Sequence, residues 1–208
     1  MSDLENPKTF DIGGDMTINR LGFGAMRITG EGIWGWPDDR GEAKNLLARV
    51  ADLGIDFIDT ADSYGPEVSE YLIAEALETR YDDLVVATKG GLERIGPGEW
   101  PVNGRPKHLK VAVNNSLRRL EVDQIDLYQL HAPDPNVPLE DSIGALEEMQ
   151  DAGKIRHIGV SNFDVAQIET AREIVDVACV QNRYNLVDRD SEDVVDYCEE
   201  HGIGFIPW

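Results

Sequence analysis

The chain has 208 residues and carries 40 acidic against 19 basic residues, for a formal net charge of −21 at pH 7. This length fits one domain with a sizeable core and is too short for two large ones. The charge excludes nucleic acid as an expected partner, because the phosphate backbone would be repelled. No apolar run approaches the roughly 18 residues of a membrane span, and no signal-peptide pattern opens the chain, so we expect a cytoplasmic protein outside the membrane.

The acidic residues are spread along the whole chain, and only six of the basic residues are lysines. This distribution indicates a folded body with an acidic surface rather than a disordered acidic tail. We expect a halophilic protein adapted to a high-salt cytoplasm, and the alternative is an ordinary acidic protein of a mesophile. The two cysteines, Cys179 and Cys198, have neither a disulfide framework nor metal-ligand spacing, so we expect them to fill the core and expect no metal site.

The first predicted elements are a hairpin and a strand. Residues 9–18 alternate short apolar stretches around two glycines, which predicts a hairpin that closes one end of the fold. Residues 21–26 (LGFGAM) predict a strand whose glycines resemble a nucleotide-binding loop, but Arg27 follows and no helix is expected at once, so the dinucleotide fingerprint fails. The loop 27–40 carries Trp34 and Trp36, which either form a wall of a substrate site or pack the loop down.

Helices and strands then alternate to the end of the chain. The predicted helices cover 42–53, 67–79, 107–120, 139–151, 164–176 and 191–201, and the predicted strands cover 55–59, 84–88, 125–130, 155–160, 178–182 and 203–207. This order predicts a parallel sheet, and periodicity does not decide whether the sheet is open or closed into a barrel. A second long loop, 90–105, is rich in glycine and proline and carries Trp100, a third candidate substrate contact.

Three consecutive strands end on ionisable residues. Asp59 ends the strand 55–59, Lys89 follows 84–88, and His131 follows 125–130, while Tyr64 lies in the turn after Asp59. The carboxyl ends of parallel strands meet at one edge of a sheet, where sites form. Singly, Asp59 could cap a turn, Tyr64 could pack and His131 could be a satisfied core histidine. Lys89 at the end of an apolar strand needs a partner, because a buried unpaired charge is costly, and together the four predict a catalytic site.

With these four residues in this order, the chain resembles the aldo-keto reductases, and the likeness continues through residues 153–163 (GKIRHIGVSNF) and 181–186 (QNRYNL). The resemblance implies an α/β fold, the (β/α)8 TIM barrel, and a single domain over residues 1–208. Only seven barrel strands are recognisable, so we expect an incomplete barrel that lacks its C-terminal part and its phosphate-binding loops. We therefore expect the 208-residue chain by itself to fold poorly.

The resemblance also implies the reaction. An aldehyde or ketone is reduced to an alcohol by hydride from NADPH, with NADH also possible, and Tyr64 is the proton donor. A free tyrosine has a pKa of about 10, and a cation at Lys89 is expected to lower it while Asp59 keeps Lys89 charged. His131 would bond the substrate oxygen or relay the proton. The alternatives are a nucleotide-binding regulatory protein of the same fold and an inactive fragment.

By the same resemblance, eight residues contact the cofactor. Hydroxyl and amide groups at the ends of two strands can pair with the nicotinamide carboxamide, and a tryptophan can stack on its ring. The residues are Gly24, Ala25, Met26, Asp59, Ser161, Asn162, Gln181 and Trp208. The alternative for Ser161 and Asn162 is that they are ordinary turn residues after a strand. The expected partner is a small-molecule carbonyl substrate, whose identity the sequence does not specify.

Overall fold

The computed structural model describes residues 8–208, in which a hairpin precedes the main sheet. The strands β1 (Thr9–Ile12) and β2 (Met16–Asn19) pair antiparallel. Gly13 and Gly14 between them have φ angles of 62° and 81°, which glycine adopts without steric cost. Apolar hairpin side chains pack with interior-facing residues of the main sheet. The predicted hairpin and its place at one end of the fold are confirmed.

The main sheet has seven parallel strands that pair in the order in which they occur in the chain, and it curls into a half-barrel. The strands are β3 (Phe23–Gly24), β4 (Phe57–Asp59), β5 (Val85–Gly90), β6 (Ile125–Leu130), β7 (Ile155–Ser161), β8 (Val177–Asn182) and β9 (Gly204–Pro207). Within residues 8–208, β3 and β9 each pair with one neighbour only. The carboxyl ends of all seven strands lie at the same edge, so residues that follow them come together.

Six α-helices connect these strands: α1 (Arg40–Asp52), α2 (Val68–Leu77), α3 (Pro106–Leu120), α4 (Leu139–Asp151), α5 (Val165–Arg172) and α6 (Glu192–His201). Local sequence signals explain several of their ends. The Asp39 side chain accepts from the amide of Glu42 to start α1, and Asp164 and Gln167 form a reciprocal capping box at α5. None of the helices in residues 8–208 is long and apolar enough to cross a membrane.

Most elements begin or end one or two residues from the predicted position, and three elements show a difference with a structural reason or consequence. The strand expected at 21–26 is reduced to two residues, because the chain turns into a 3₁₀ helix at Ala25–Ile28 whose buried side chains pack against α2. The helix expected at 164–176 ends at Arg172, because the amides of Ile174 and Val175 both bond the carbonyl of Ala171 and close the last turn. The strand expected at 84–88 extends through Gly90, so Lys89 lies within β5 rather than after it.

Candidate active site

Lys89 is the centre of a buried cluster inside the half-barrel. Its Nζ donates to Asp59 Oδ2 at 2.7 Å, to the carbonyl oxygen of Thr60 at 2.8 Å and to Tyr64 Oη at 3.4 Å. The lysine side chain is 0% exposed. An ammonium group has three donors, and each of them has a partner here, which offsets the cost of burying the charge. The structure thus brings three of the four predicted catalytic residues into contact.

The second oxygen of Asp59 is held by two glutamines. Oδ1 accepts from Gln129 Nε2 at 3.2 Å and from Gln181 Nε2 at 2.8 Å. Gln181 was expected near the cofactor, whereas Gln129 was not among the predicted residues. The sequence pattern that could have identified Gln129 is a polar residue within the apolar strand β6. Gln129 lies two residues before His131 and is therefore on the same face of the sheet. The carboxylate of Asp59 is consequently fixed from both sides.

The environment of this cluster shifts two pKa values upward. Burial lowers the pKa of Lys89, but Asp59 and Tyr64 together outweigh it, so the pKa lies above its ordinary value. Burial raises the pKa of Tyr64 by more than the Lys89 charge lowers it. The expectation that Lys89 brings this pKa below that of free tyrosine is therefore wrong for this structure, because burial dominates. At neutral pH the lysine keeps its charge and the phenol keeps its proton.

His131 lies edge-on to Tyr64, with the ring centroids 5.9 Å apart. Its Nδ1 is 3.4 Å from Ser63 Oγ. Burial, followed by the nearby Lys89 charge, holds the pKa of His131 well below its usual range. A neutral imidazole at pH 7 can donate or accept a hydrogen bond without adding charge to the site. The structure thus places the fourth predicted residue beside the phenol.

A cavity of about 1130 Å³ runs along the open side of the half-barrel, from the hairpin and α6 to this cluster. Its lining includes three of the catalytic candidates and most of the residues expected to bind a cofactor: Gly24, Met26, Asp59, Tyr64, His131, Ser161, Asn162, Gln181 and Trp208. Ala25 is the exception. Its side chain is fully buried in the outer core against α2, and its carbonyl oxygen accepts from Ser69 Oγ at 3.2 Å. The 3₁₀ turn directs this side chain outward, and a contact between Ala25 and a cofactor stays a prediction.

Asn162 connects the ends of three strands. It has a φ of 61°, a left-handed conformation that asparagine tolerates better than most residues. Its Nδ2 donates to the carbonyl oxygen of His131 at 2.9 Å and to Ser161 Oγ at 3.1 Å, while its Oδ1 accepts from Trp208 Nε1 at 3.2 Å. Asn162 therefore orients the indole of Trp208, and its own amide hydrogens are used within the protein.

The three candidate substrate tryptophans have different surroundings. Trp100 lines the cavity, whereas Trp34 and Trp36 are not among the lining residues. Trp36 stacks on Tyr71 of α2, with ring centroids 6.3 Å apart, and the guanidinium carbon of Arg40 lies 3.8 Å from its ring centroid. Packing of the loop against α2 thus accounts for Trp36, in line with the alternative stated for it, and its place in a substrate wall stays a prediction.

Arg94 holds the other two tryptophans together and was not predicted. Its guanidinium carbon lies 3.6 Å from the ring centroid of Trp100 and 5.3 Å from that of Trp34. Its Nη1 donates to the carbonyl oxygens of Ile33 and Ser63 at 2.9 and 3.1 Å. Trp34 therefore packs behind Arg94, and the guanidinium joins the two long loops to the turn that carries Tyr64.

Both cysteines are buried and free, which confirms that they pack in the interior. No group of three or more potential metal ligands occurs in the part of the chain that the structure describes. Burial raises the pKa of the Cys198 thiol to about 12, so it stays protonated at neutral pH.

The parallel half-barrel carries a buried lysine–aspartate pair, a phenol and an imidazole at the carboxyl ends of its strands, which is the edge where barrel proteins have their sites. The chain belongs to the aldo/keto reductase family, whose profile matches residues 20–208. The predicted family and barrel fold are thus confirmed.

Two curated relatives and one solved structure illustrate the likeness. An uncharacterized oxidoreductase of Schizosaccharomyces pombe is 53% identical over 94% of this chain and 63% of its own length. Pyridoxine 4-dehydrogenase of Escherichia coli is 39% identical over 96% of this chain and 72% of its own length. An aldo/keto reductase from Klebsiella pneumoniae, solved in complex with NADP and acetate, is 26% identical with a TM-score of 0.79 over 97% of this chain and 67% of that structure. This chain thus spans less than two thirds of the S. pombe relative.

Proposed function

We propose that the protein reduces an aldehyde or ketone to an alcohol with hydride from NADPH, and that Tyr64 donates the proton to the carbonyl oxygen. The single observation that carries this proposal is the position of Tyr64 Oη, 3.4 Å from the buried Lys89 Nζ and at the wall of the cavity beside His131. Membership of the aldo/keto reductase family supports it. The substrate is a small-molecule carbonyl compound, and NADH is the alternative cofactor.

The residues of the cavity fit a nicotinamide cofactor. A carboxamide needs both a donor and an acceptor, and Ser161 Oγ together with Gln181 Oε1 supplies them while Gln181 Nε2 remains on Asp59. The indole of Trp208 is 55% exposed next to this pair and offers a flat face for a ring. The NADP complex of the K. pneumoniae relative supports a nicotinamide cofactor. When bound, the cofactor supplies the hydride.

The protein's own residues govern the proton. Tyr64 keeps its proton at neutral pH because burial raises its pKa, and the Lys89 charge then stabilises the phenolate left after transfer. Asp59 keeps Lys89 charged and in place at 2.7 Å. The neutral ring of His131 can donate a hydrogen bond to the substrate oxygen and so favours developing negative charge there.

The continuous order of strands also supports a single barrel domain over residues 1–208.

A comparison of Tyr64→Phe with the wild type, both made in a full-length version of the protein, tests this proposal. We expect the variant to lose turnover of an aldehyde panel by roughly 10²- to 10⁴-fold, since it cannot donate the proton. NADPH affinity, followed by quenching of tryptophan fluorescence, should stay close to that of the wild type. Tyr71→Phe, at the surface of α2, is the matched control. Wild-type turnover in Tyr64→Phe, or no NADPH-dependent reduction by the wild type, would overturn the proposal.

A further inference from the structure

A second buried polar cluster lies on the outer side of β5, between α2 and α3. We call it the Arg119 cluster, and its members are Glu67, Glu70, Thr88, Ser116 and Arg119. Arg119 donates through Nε to Glu70 Oε2 at 2.6 Å, through Nη1 to Glu67 Oε1 at 3.2 Å and through Nη2 to Ser116 Oγ at 3.3 Å. Thr88 Oγ1 donates to Glu70 Oε1 at 2.6 Å. One guanidinium thus connects three elements of the fold.

Two of these connections end next to catalytic candidates. Thr88 precedes Lys89 in β5, so the bond from Thr88 to Glu70 fixes the strand from the outer side. Glu67 ends the turn that carries Tyr64, and its amide donates to the carbonyl oxygen of Asp62 at 2.6 Å. The amide of Asp62 in turn donates to the carbonyl oxygen of Lys89 at 3.1 Å. The turn is therefore attached both to the backbone of β5 and, through Glu67, to the guanidinium behind it.

The backbone of Glu67 is strained where the turn is attached. Glu67 has a φ of 67°, in the left-handed region that favours glycine. Local strain of this kind persists where surrounding contacts hold it, and it is common at functional sites. The contacts here are the Arg119 Nη1 bond to its side chain and the bond from its amide to Asp62. A glycine would adopt this conformation freely, and the glutamate supplies the side-chain contact.

We propose that Arg119 is a positioning residue for carbonyl reduction, which holds the turn carrying Tyr64 against the strand carrying Lys89 through Glu67 and Glu70. This inference rests on the proposed function. The nearby charges that shift the pKa of Tyr64, after burial, are those of Lys89, Asp59 and Asp62, and Arg119 is not among them. After burial, Glu70, Arg119 and Glu67 act on the pKa of Asp62, with the half-exposed Glu67 as the last of its causes. Weakening the attachment at Glu67 should therefore lower the turnover number and leave the pH profile of turnover in place.

Glu67 is the member through which this idea can be tested in a folded protein, because its side chain is 51% exposed and Arg119 keeps its bond to the buried Glu70 when Glu67 changes. Glu67→Gly removes the side-chain contact while relieving the left-handed strain. Glu67→Gln keeps an oxygen that can accept from Arg119 and removes only the charge. Glu75→Gln in α2, which removes the charge from a surface pair with Arg40, is the matched control.

We expect Glu67→Gly to lower kcat roughly tenfold with KM for NADPH and the pH profile unchanged, because small displacements of a reacting group cost rate. Glu67→Gln should retain most of the wild-type kcat, and Glu75→Gln all of it. Hydrogen exchange of the peptide that contains residues 60–67 should accelerate in Glu67→Gly only. This second measurement needs no activity, so it separates the inference from the proposed function.

Each outcome decides one of the two ideas. Wild-type kcat together with wild-type exchange in Glu67→Gly would overturn the positioning role, as would a loss of activity in Glu67→Gln equal to that in Glu67→Gly. If the wild type shows no carbonyl reduction at all, the proposed function fails. In that case unchanged exchange in Glu67→Gly overturns the inference, and accelerated exchange retains its geometric part.

Discussion

Two buried cations lie on opposite faces of β5, and their surroundings differ. Lys89 points into the half-barrel, where its partners are the 14%-exposed Asp59 and a phenol that lines the cavity. Arg119 lies behind the strand with Glu70, which is 0% exposed, and its remaining bonds go to Glu67 and to the hydroxyl of Ser116. Burying a charged pair seldom stabilises a fold by itself. The comparison teaches that the inner pair keeps reactive partners within reach of a ligand, whereas the outer pair is closed and holds elements together.

The largest effect, on turnover, is expected from Lys89→Met, which removes the inner cation. Without the cation, the pKa of Tyr64 rises further and the phenol becomes a weaker acid. We expect turnover to fall by roughly 10²- to 10⁴-fold and the basic limb of the pH profile of turnover to move to higher pH. Steady-state kinetics across pH measures both quantities. An unshifted basic limb would show that the Lys89–Asp59 pair has only a structural role.

Removal of the outer cation, Arg119, should have the opposite balance of effects. We expect it to lower the stability of the fold more than it lowers the rate of the reaction directly. Arg119→Met leaves the carboxylate of Glu70 buried without its cation, and we expect a loss of about 3–5 kcal/mol in the free energy of unfolding. The double variant Glu70→Leu with Arg119→Met removes both charges and should recover most of that loss. Denaturant unfolding measures the difference. Equal destabilisation in the single and double variants would contradict a closed ion pair.

His131 gives a smaller, pH-dependent contribution on the inner side. Its pKa is held well below that of a free histidine by burial and then by Lys89, so below pH of about 6.5 the unfolded chain binds a proton that the folded protein does not. This contribution to stability is present above pH of about 6.5 and is lost as pH falls toward the folded pKa. The slope is at most about 1.4 kcal/mol per pH unit. Unfolding of His131→Gln between pH 7 and 5 should show a shallower decline, and an identical slope would contradict the assignment.

The smallest expected effect is a change of melting temperature with salt, which arises from the acidic surface outside both clusters. With a net charge of −21, self-repulsion weakens as salt screens it. We expect the melting temperature to rise from low salt into molar potassium chloride by roughly 2–4 °C, equivalent to about 1 kcal/mol for a chain of this size. The buried pairs at Lys89 and Arg119 are screened little and should not oppose this trend. A flat or falling melting temperature would remove the halophilic interpretation.

Local patterns in the sequence were sufficient to predict the helices and strands and to single out the four catalytic candidates. The bounds of β6 and α4 agree with the prediction, since apolar periodicity and turn residues are properties of neighbouring positions. Asp59, Lys89 and His131 could be found because the carboxyl ends of parallel strands meet, whatever the closure of the barrel. The sequence by itself thus determined the alternation of strands and helices, the edge at which the candidate site lies and the ionisable residues that meet there.

Only the tertiary structure decided how distant residues pair and how deeply they are buried. Gln129 reaches Asp59 across 70 positions of the chain, and Arg119 reaches Glu70 across 49. No local pattern indicated that Trp100 lines the cavity while Trp36 packs on α2. The direction of the Tyr64 pKa also depends on burial, which outweighs the lysine beside it. These features depend on the packing of elements that are remote in sequence, because desolvation and hydrogen-bond geometry are set by the folded surroundings of a group and not by its neighbours along the chain.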